Sequence, residues 1–121
     1  MSNSFQDLRV WNLAFDLAGN AYDLCKKLPD SERYGIRSQL QRTALSIPCN
    51  IAEGHGRRSN GDFARFLAIA LGSCREVQAL LTMCERLNYL TNEECPHNEC
   101  EDIAKMLTAF IKKFKSSSSN S

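Results

Sequence analysis

Residues 46–58 read SIPCNIAEGHGRR. The stretch sets a proline inside an otherwise helical pattern, runs Ser46, Asn50 and Glu53 along one side, and closes in glycines and paired arginines. Three readings compete: a catalytic loop, a phosphate cradle, or a bent helix in an α-helical bundle. Extending the stretch upstream decides among them. Gln39, Arg42, Ser46, Asn50 and Glu53 are spaced 3, 4, 4 and 3 residues apart, beside the apolar line Ile36, Leu40, Ala44, Ile47 and Ile51. Two such lines side by side are the mark of a helix with a polar seam. Pro48 cannot donate to the carbonyl of Ala44, and its ring crowds that turn. A kink is therefore expected, at a cost of ~3 kcal/mol unless neighbours compensate. The freed carbonyl, with Ser46 and Asn50 nearby, invites side-chain or water hydrogen bonds.

The loop that follows is not a nucleotide cradle. No strand precedes it and no Gly-Lys-Ser/Thr follows, which excludes the dinucleotide fingerprint and the P-loop. Gly54 or Gly56 suits a left-handed helix end. Ser59 is a candidate N-cap, with Asp62 in capping-box register. Glu53 and His55 supply one carboxylate and one imidazole, without a nucleophile, a second acid or a metal-ligand set, so no catalytic residue is predicted.

The same 3-4 spacing continues in both directions. Leu8, Trp11, Phe15, Ala18, Tyr22 and Cys25 form one stripe of a first helix, and Val10, Ala14, Leu17, Ala21, Leu24 and Leu28 form a second beside it. Together they make a wider apolar face than a single helix partner needs. Pro29-Asp30-Ser31 stops this helix, and Ser31 or Asp30 is placed to cap the next, which is expected to end at Gly54. A third helix is predicted from about Asn60 to about Asn88 on Leu67, Ala70, Cys74, Val77, Leu81 and Cys84. A fourth carries Ile103, Leu107, Phe110 and Phe114, with Lys112, Lys113 and Lys115 near its C-terminus, where cations complement the helix dipole. Pro96 is expected to delay or bend its start. No segment alternates long enough to be a strand. The reading is an all-α, antiparallel up-down-up-down four-helix bundle over residues 1–115, followed by a disordered serine-rich tail, 116–121.

At 121 residues the chain is one domain. Its first residues carry no secretory signal, and no apolar run approaches the ~20 residues of a membrane span, so a cytoplasmic protein without membrane contact is expected. Its six cysteines are then free thiols, with Cys25, Cys74, Cys84 and Cys100 on apolar stripes. Cys95-Pro-His97-x-x-Cys100 lacks a second ligand pair and is read as a helix start, so no metal and no cofactor are predicted.

Charge distribution says more than net charge. Residues 33–75 hold seven arginines, no lysine and two acids, a net of +5, while the remainder carries eight basic and twelve acidic residues, a net of −4. Arginine without lysine suits bidentate contact with phosphate or carboxylate. Arg42 and Arg75 are candidates to pair with Glu53 and Glu76, inside the bundle or across a subunit contact. Arg57, Arg58 and Arg65, with Arg37, are the candidates to face an anion such as nucleic-acid phosphate. Gln39, Arg42, Ser46, Asn50, Glu53, Ser73 and Glu76 are the candidate polar network or subunit interface.

Three strings carry a family resemblance: F-x-D-L-x-V-W at 5–11, Q-L-Q-R-x-A-x-S-I-P-x-N-I-A-E-G-x-G-R at 39–57, and F-x-R-F-L-x-I-A-x-G-S-x-x-E at 63–76. Over about residues 5–115 the chain resembles the four-helix bundle proteins of the 23S rRNA intervening-sequence family. The resemblance implies a small bacterial bundle, without catalytic activity, that assembles as a barrel-shaped homopentamer. One branch, the accessory variability determinant of diversity-generating retroelements, binds nucleic acid and a reverse transcriptase through a basic surface. That branch is strongly basic, whereas this chain is near neutral, with Glu93, Glu94, Glu99, Glu101 and Asp102 opening the fourth helix. Two functions are thereby implied: an oligomeric RNA- or DNA-binding accessory protein, or a homo-oligomeric scaffold whose partner is a protein.

Overall fold

The computed structural model describes residues 4–119. Four α-helices follow one another, α1 Arg9–Cys25, α2 Ile36–His55, α3 Asn60–Arg86 and α4 His97–Ser119, with 3₁₀ turns at Phe5–Asp7 and Asp30–Glu32. Among the described residues there is no strand. Cross-helix contacts run in opposite senses along neighbours. On α2 and α3, Gln39 meets Glu76, Ser46 meets Ser73 and Gly54 meets Phe63. On α3 and α4, Glu85 meets His97, Arg75 meets Glu101 and Phe63 meets Phe114.

The core follows most of the stripes read from spacing, with Phe110 and Phe114 of α4 only half-buried. Leu40, Ala44, Ile47 and Ile51 on α2, the six α3 positions from Leu67 to Cys84, and Cys100, Ile103, Ala104 and Leu107 on α4 are buried. On α1 the second stripe from Val10 to Leu28 is buried, whereas in the first stripe Phe15 is 55% and Tyr22 42% exposed. Helix α3 is long and apolar enough, by length and composition, to cross a membrane. In the bundle its apolar stripe packs against α2 and α4.

Helix ends correct several expectations. Helix α2 begins after Gly35, not at Asp30 or Ser31, because Pro29 holds an extended backbone and one 3₁₀ turn intervenes. Its first donor, the Ile36 amide, is met by Glu32 Oε1 at 3.3 Å. The helix runs unbroken through Pro48 and passes Gly54 to end at His55. None of the described glycines is left-handed. Gly54 instead permits close packing, since a Cβ there would lie 2.6 Å from Phe66 Cβ. Ser59 caps α3 as expected, its hydroxyl accepting from the Asp62 amide at 3.1 Å. Helix α3 ends at Arg86, and two residues further on, Asn88, the described non-glycine residue with positive φ, turns the chain at 62°. The Tyr89 amide donates to the Cys84 carbonyl and the Asn88 amide to that of Glu85, which is the Schellman pattern. Pro96 stands immediately before α4, which starts at His97, and its carbonyl accepts the first helical bond, from the Cys100 amide. At the other end α4 continues to Ser119, into the segment expected to be disordered. Extending an established helix costs little per residue. Residues 120–121 lie outside the described residues.

Candidate nucleic-acid interface

The turn between α2 and α3 is short because Gly56 closes one helix and Ser59 opens the next. That brevity gathers Arg57, Arg58 and Arg65 at one end of the bundle, all exposed. Phe66, nearly two turns into α3 and beside Gly54, organises two of them. The Cζ atoms of Arg57 and Arg65 each lie 4.7 Å from its ring centroid. Both guanidinium groups also hold exposed carboxylates, Arg57 to Glu53 at 3.0 Å and Arg65 to Asp62 at 3.7 Å. Among the described residues, Arg58 has neither ion pair nor hydrogen bond. Glu53 is thus engaged with Arg57, while His55 stands edge-on to Phe63 at 6.0 Å, so the two do not form an acid–base pair.

Antiparallel packing adds residues that sequence reasoning did not assign to this site. Phe114 packs on Phe63 with centroids 4.8 Å apart, which brings the exposed Lys112, Lys113 and Lys115 to the same end. Lys113 Nζ lies 5.5 Å from the Phe114 ring. Arg37 is not part of this cluster. It lies at the start of α2, about 30 Å along the helix from Arg57 at 1.5 Å per residue, and pairs with Asp30 at 3.6 Å.

The polar seam forms between α2 and α3, with a different membership from the one expected. Glu76 Oε2 accepts from Gln39 Nε2 at 3.0 Å and from the buried Thr43 hydroxyl at 3.2 Å. The Ser46 and Ser73 hydroxyls share a hydrogen bond at 2.7 Å. Ser46 Oγ also donates to the Thr43 carbonyl, and Asn50 Nδ2 to the Ser46 carbonyl, both at 2.7 Å. These bonds serve the carbonyls of Thr43 and Ser46 rather than that of Ala44, which Pro48 leaves without its amide donor. Arg42 is exposed with no ion pair among the described residues, and Glu53 lies beyond the seam. Arg75 pairs with Glu101 at 2.9 Å, away from Glu76.

The family described as 23S rRNA-intervening sequence protein matches residues 6–109. The chain belongs to that family. Among solved structures it is similar to a protein of unknown function from the S23 ribosomal protein family of Bacteroides thetaiotaomicron VPI-5482. The TM-score is 0.78 at 29% identity, over 85% of this chain and 98% of that one. Comparison with curated proteins finds no match. For this member of the 23S rRNA-intervening sequence family, the match reaches all four helices and includes the whole seam and the arginine turn.

Proposed function

We propose that this chain is a non-enzymatic, cytoplasmic, homo-oligomeric accessory protein that holds RNA or DNA by its phosphates against the basic end of the bundle. The observation that carries the proposal is the cluster around Phe66, with Arg57 and Arg65 both over the ring, Arg58 unpaired beside them and three lysines of α4 alongside. Contact with the ring restricts the guanidinium groups, so less freedom is lost when their donors fork onto a phosphate. Their present partners are weak competitors, because exposed ion pairs contribute ~0–1 kcal/mol. A phosphate can take the place of Glu53 or Asp62.

Exposed apolar faces support oligomerisation. Phe15 and Tyr22 on α1, and Ile69, Met83 and Leu87 on and just after α3, remain exposed. Gly19 and Gly72 are helical glycines with open space where a side chain would be. The family resemblance implies five copies, which would array fifteen of these arginines and turn weak phosphate contacts into avidity. This chain would position a strand for a partner enzyme, a reverse transcriptase in the retroelement branch, without making or breaking a bond itself. The exposed apolar residues favour one alternative, a scaffold that docks a protein on those faces and binds no nucleic acid.

Fluorescence anisotropy with a labelled structured RNA and a DNA duplex at low salt separates the two. Both should bind with modest affinity and little sequence preference. The combined variant Arg57→Ala, Arg58→Ala and Arg65→Ala should lose binding while keeping its helicity. Absence of binding at about tens of micromolar protein, or undiminished binding by the variant, rejects the proposal in favour of the scaffold.

A further inference from the structure

The opposite end of the bundle holds a cluster that the basic end does not use. Glu85 lies in the last turn of α3, Cys95 in the connection and His97 at the start of α4. The turn-back at Asn88 returns the chain to α3, so a carboxylate oxygen, Cys95 Sγ and a His97 ring nitrogen all lie within 4.8 Å of one another. His97 Nε2 is 2.6 Å from Glu85 Oε2, and Glu85 Oε1 accepts from Asn92 Nδ2 at 3.1 Å. Cys95 is buried and the other two are half-buried. Cys95 and His97 also line a pocket of about 660 Å³ whose wall carries Asp23, Glu93, Glu94 and Glu99. The carboxylates on that wall draw cations toward the cluster.

We propose that Glu85, Cys95 and His97 form a binding site for a borderline-soft divalent metal ion of the zinc class, with its open coordination position facing the acidic pocket. Sulfur, nitrogen and oxygen donors together select such an ion over magnesium or calcium, and three protein ligands plus water complete a tetrahedron. Ligand atoms around tetrahedral zinc stand about 3.5 Å apart, as metal–ligand distances of about 2.0–2.3 Å dictate. Here the His97–Glu85 pair stands at 2.6 Å and no pair exceeds 4.8 Å, so shifts of about 1 Å suffice. On binding, the bridge between His97 and Glu85 opens and each donates a lone pair to the ion. The Cys95 thiol exchanges its S–H bond for an S–metal bond and releases the proton to solvent, with no change of oxidation state. The bound ion would clasp the end of α3 to the start of α4.

The test uses the full chain, freed of metal by a chelator and titrated with cobalt(II), then zinc. Wild type should take one cobalt per chain with thiolate-to-cobalt charge-transfer absorption, and zinc should displace it. Calorimetry in buffers of different ionisation enthalpy should show about one proton released per zinc. Cys95→Ser should abolish the charge-transfer band, and His97→Ala should weaken zinc binding by roughly 100-fold or more, beyond the loss typical of an outer-shell change. Cys49→Ser, at the exposed cysteine, should alter neither. Wild type without the band at about millimolar cobalt overturns the proposal and leaves the cluster a hydrogen-bonded clasp. A band that survives Cys95→Ser and disappears in Cys49→Ser overturns it equally.

Discussion

Gly54 sets the geometry of the basic end by lacking a side chain. A Cβ there would stand 2.6 Å from Phe66 Cβ and 3.0 Å from Phe63 Cδ1, and the former is fixed to the α3 backbone. Gly54→Ala should therefore cost about 1–3 kcal/mol, the usual penalty of overpacking, and loosen the cluster around Phe66. Urea denaturation measures the cost. Gly72 presents the contrary case, a mid-helix glycine at which an added Cβ would meet nothing within 4 Å. In an isolated chain, Gly72→Ala would stabilise by about 1 kcal/mol through helix propensity. In an assembly that packs on this face the added methyl should weaken association, so the sign of the change in melting temperature distinguishes the two. Among the thiols, burial pushes Cys84 up to about 11 and Cys95 up to about 12, while Cys49 is exposed. A thiol reagent at mildly alkaline pH should modify Cys49 fast and the five buried cysteines only on unfolding.

At the level of the helices, apolar periodicity was sufficient to place the core, because every buried α3 position from Leu67 to Cys84 lies on one 3-4 stripe. The α2–α3 seam was legible as a polar line but not as a set of partners. Stepping from Gln39 to Arg42 rather than to Thr43 picks up an exposed arginine and misses a buried hydroxyl, while Gln39, Ser46 and Asn50 belong to both sets. The residues that bond across to α3 are Gln39, Thr43 and Ser46, and only the crossing of two helices singles them out. Glu76→Ala strands the buried Thr43 hydroxyl and should cost about 1–3 kcal/mol, while Arg42→Ala in the isolated chain should fall within about 0.5 kcal/mol. The start of α2 was misplaced because a 3₁₀ turn after Pro29 leaves no periodic trace. The α3–α4 joint carries the acid sensitivity. A hydrogen bond from His97, then Asn92, holds the Glu85 carboxyl below its usual range; Lys27 does the same for Glu94, and Gln78 then Arg75 for Glu101. A carboxylate with a depressed folded-state pKa stabilises the fold above its unfolded value, about 4.3 for glutamate, and that stability is lost as pH falls through the folded value. Melting temperature should thus hold from neutral pH to about 5 and drop below about 4, with a smaller drop in Glu85→Gln.

For the molecule as a whole, a formal charge of +1 conceals opposite ends. The arginines were legible as a basic segment, but their meeting with Lys112, Lys113 and Lys115 depends on Phe63 facing Phe114 across antiparallel helices, which no local pattern encodes. Local concentration of cations governs phosphate binding more than net charge does. Assembly would multiply that end. Light scattering should give about five times the 13.6 kDa chain mass, about 68 kDa, and a monomer at micromolar concentration would remove the avidity on which the functional proposal depends. The most direct measurement is the salt dependence of affinity for one DNA duplex. Each phosphate neutralised contributes a slope of about −0.9 in log Kobs against log salt. The expected slope is steeper than about −3, more than the three arginines of a single chain could supply, and flatter for the triple arginine variant. A slope near zero, or one unchanged by the three substitutions, would contradict phosphate binding at this end of the bundle.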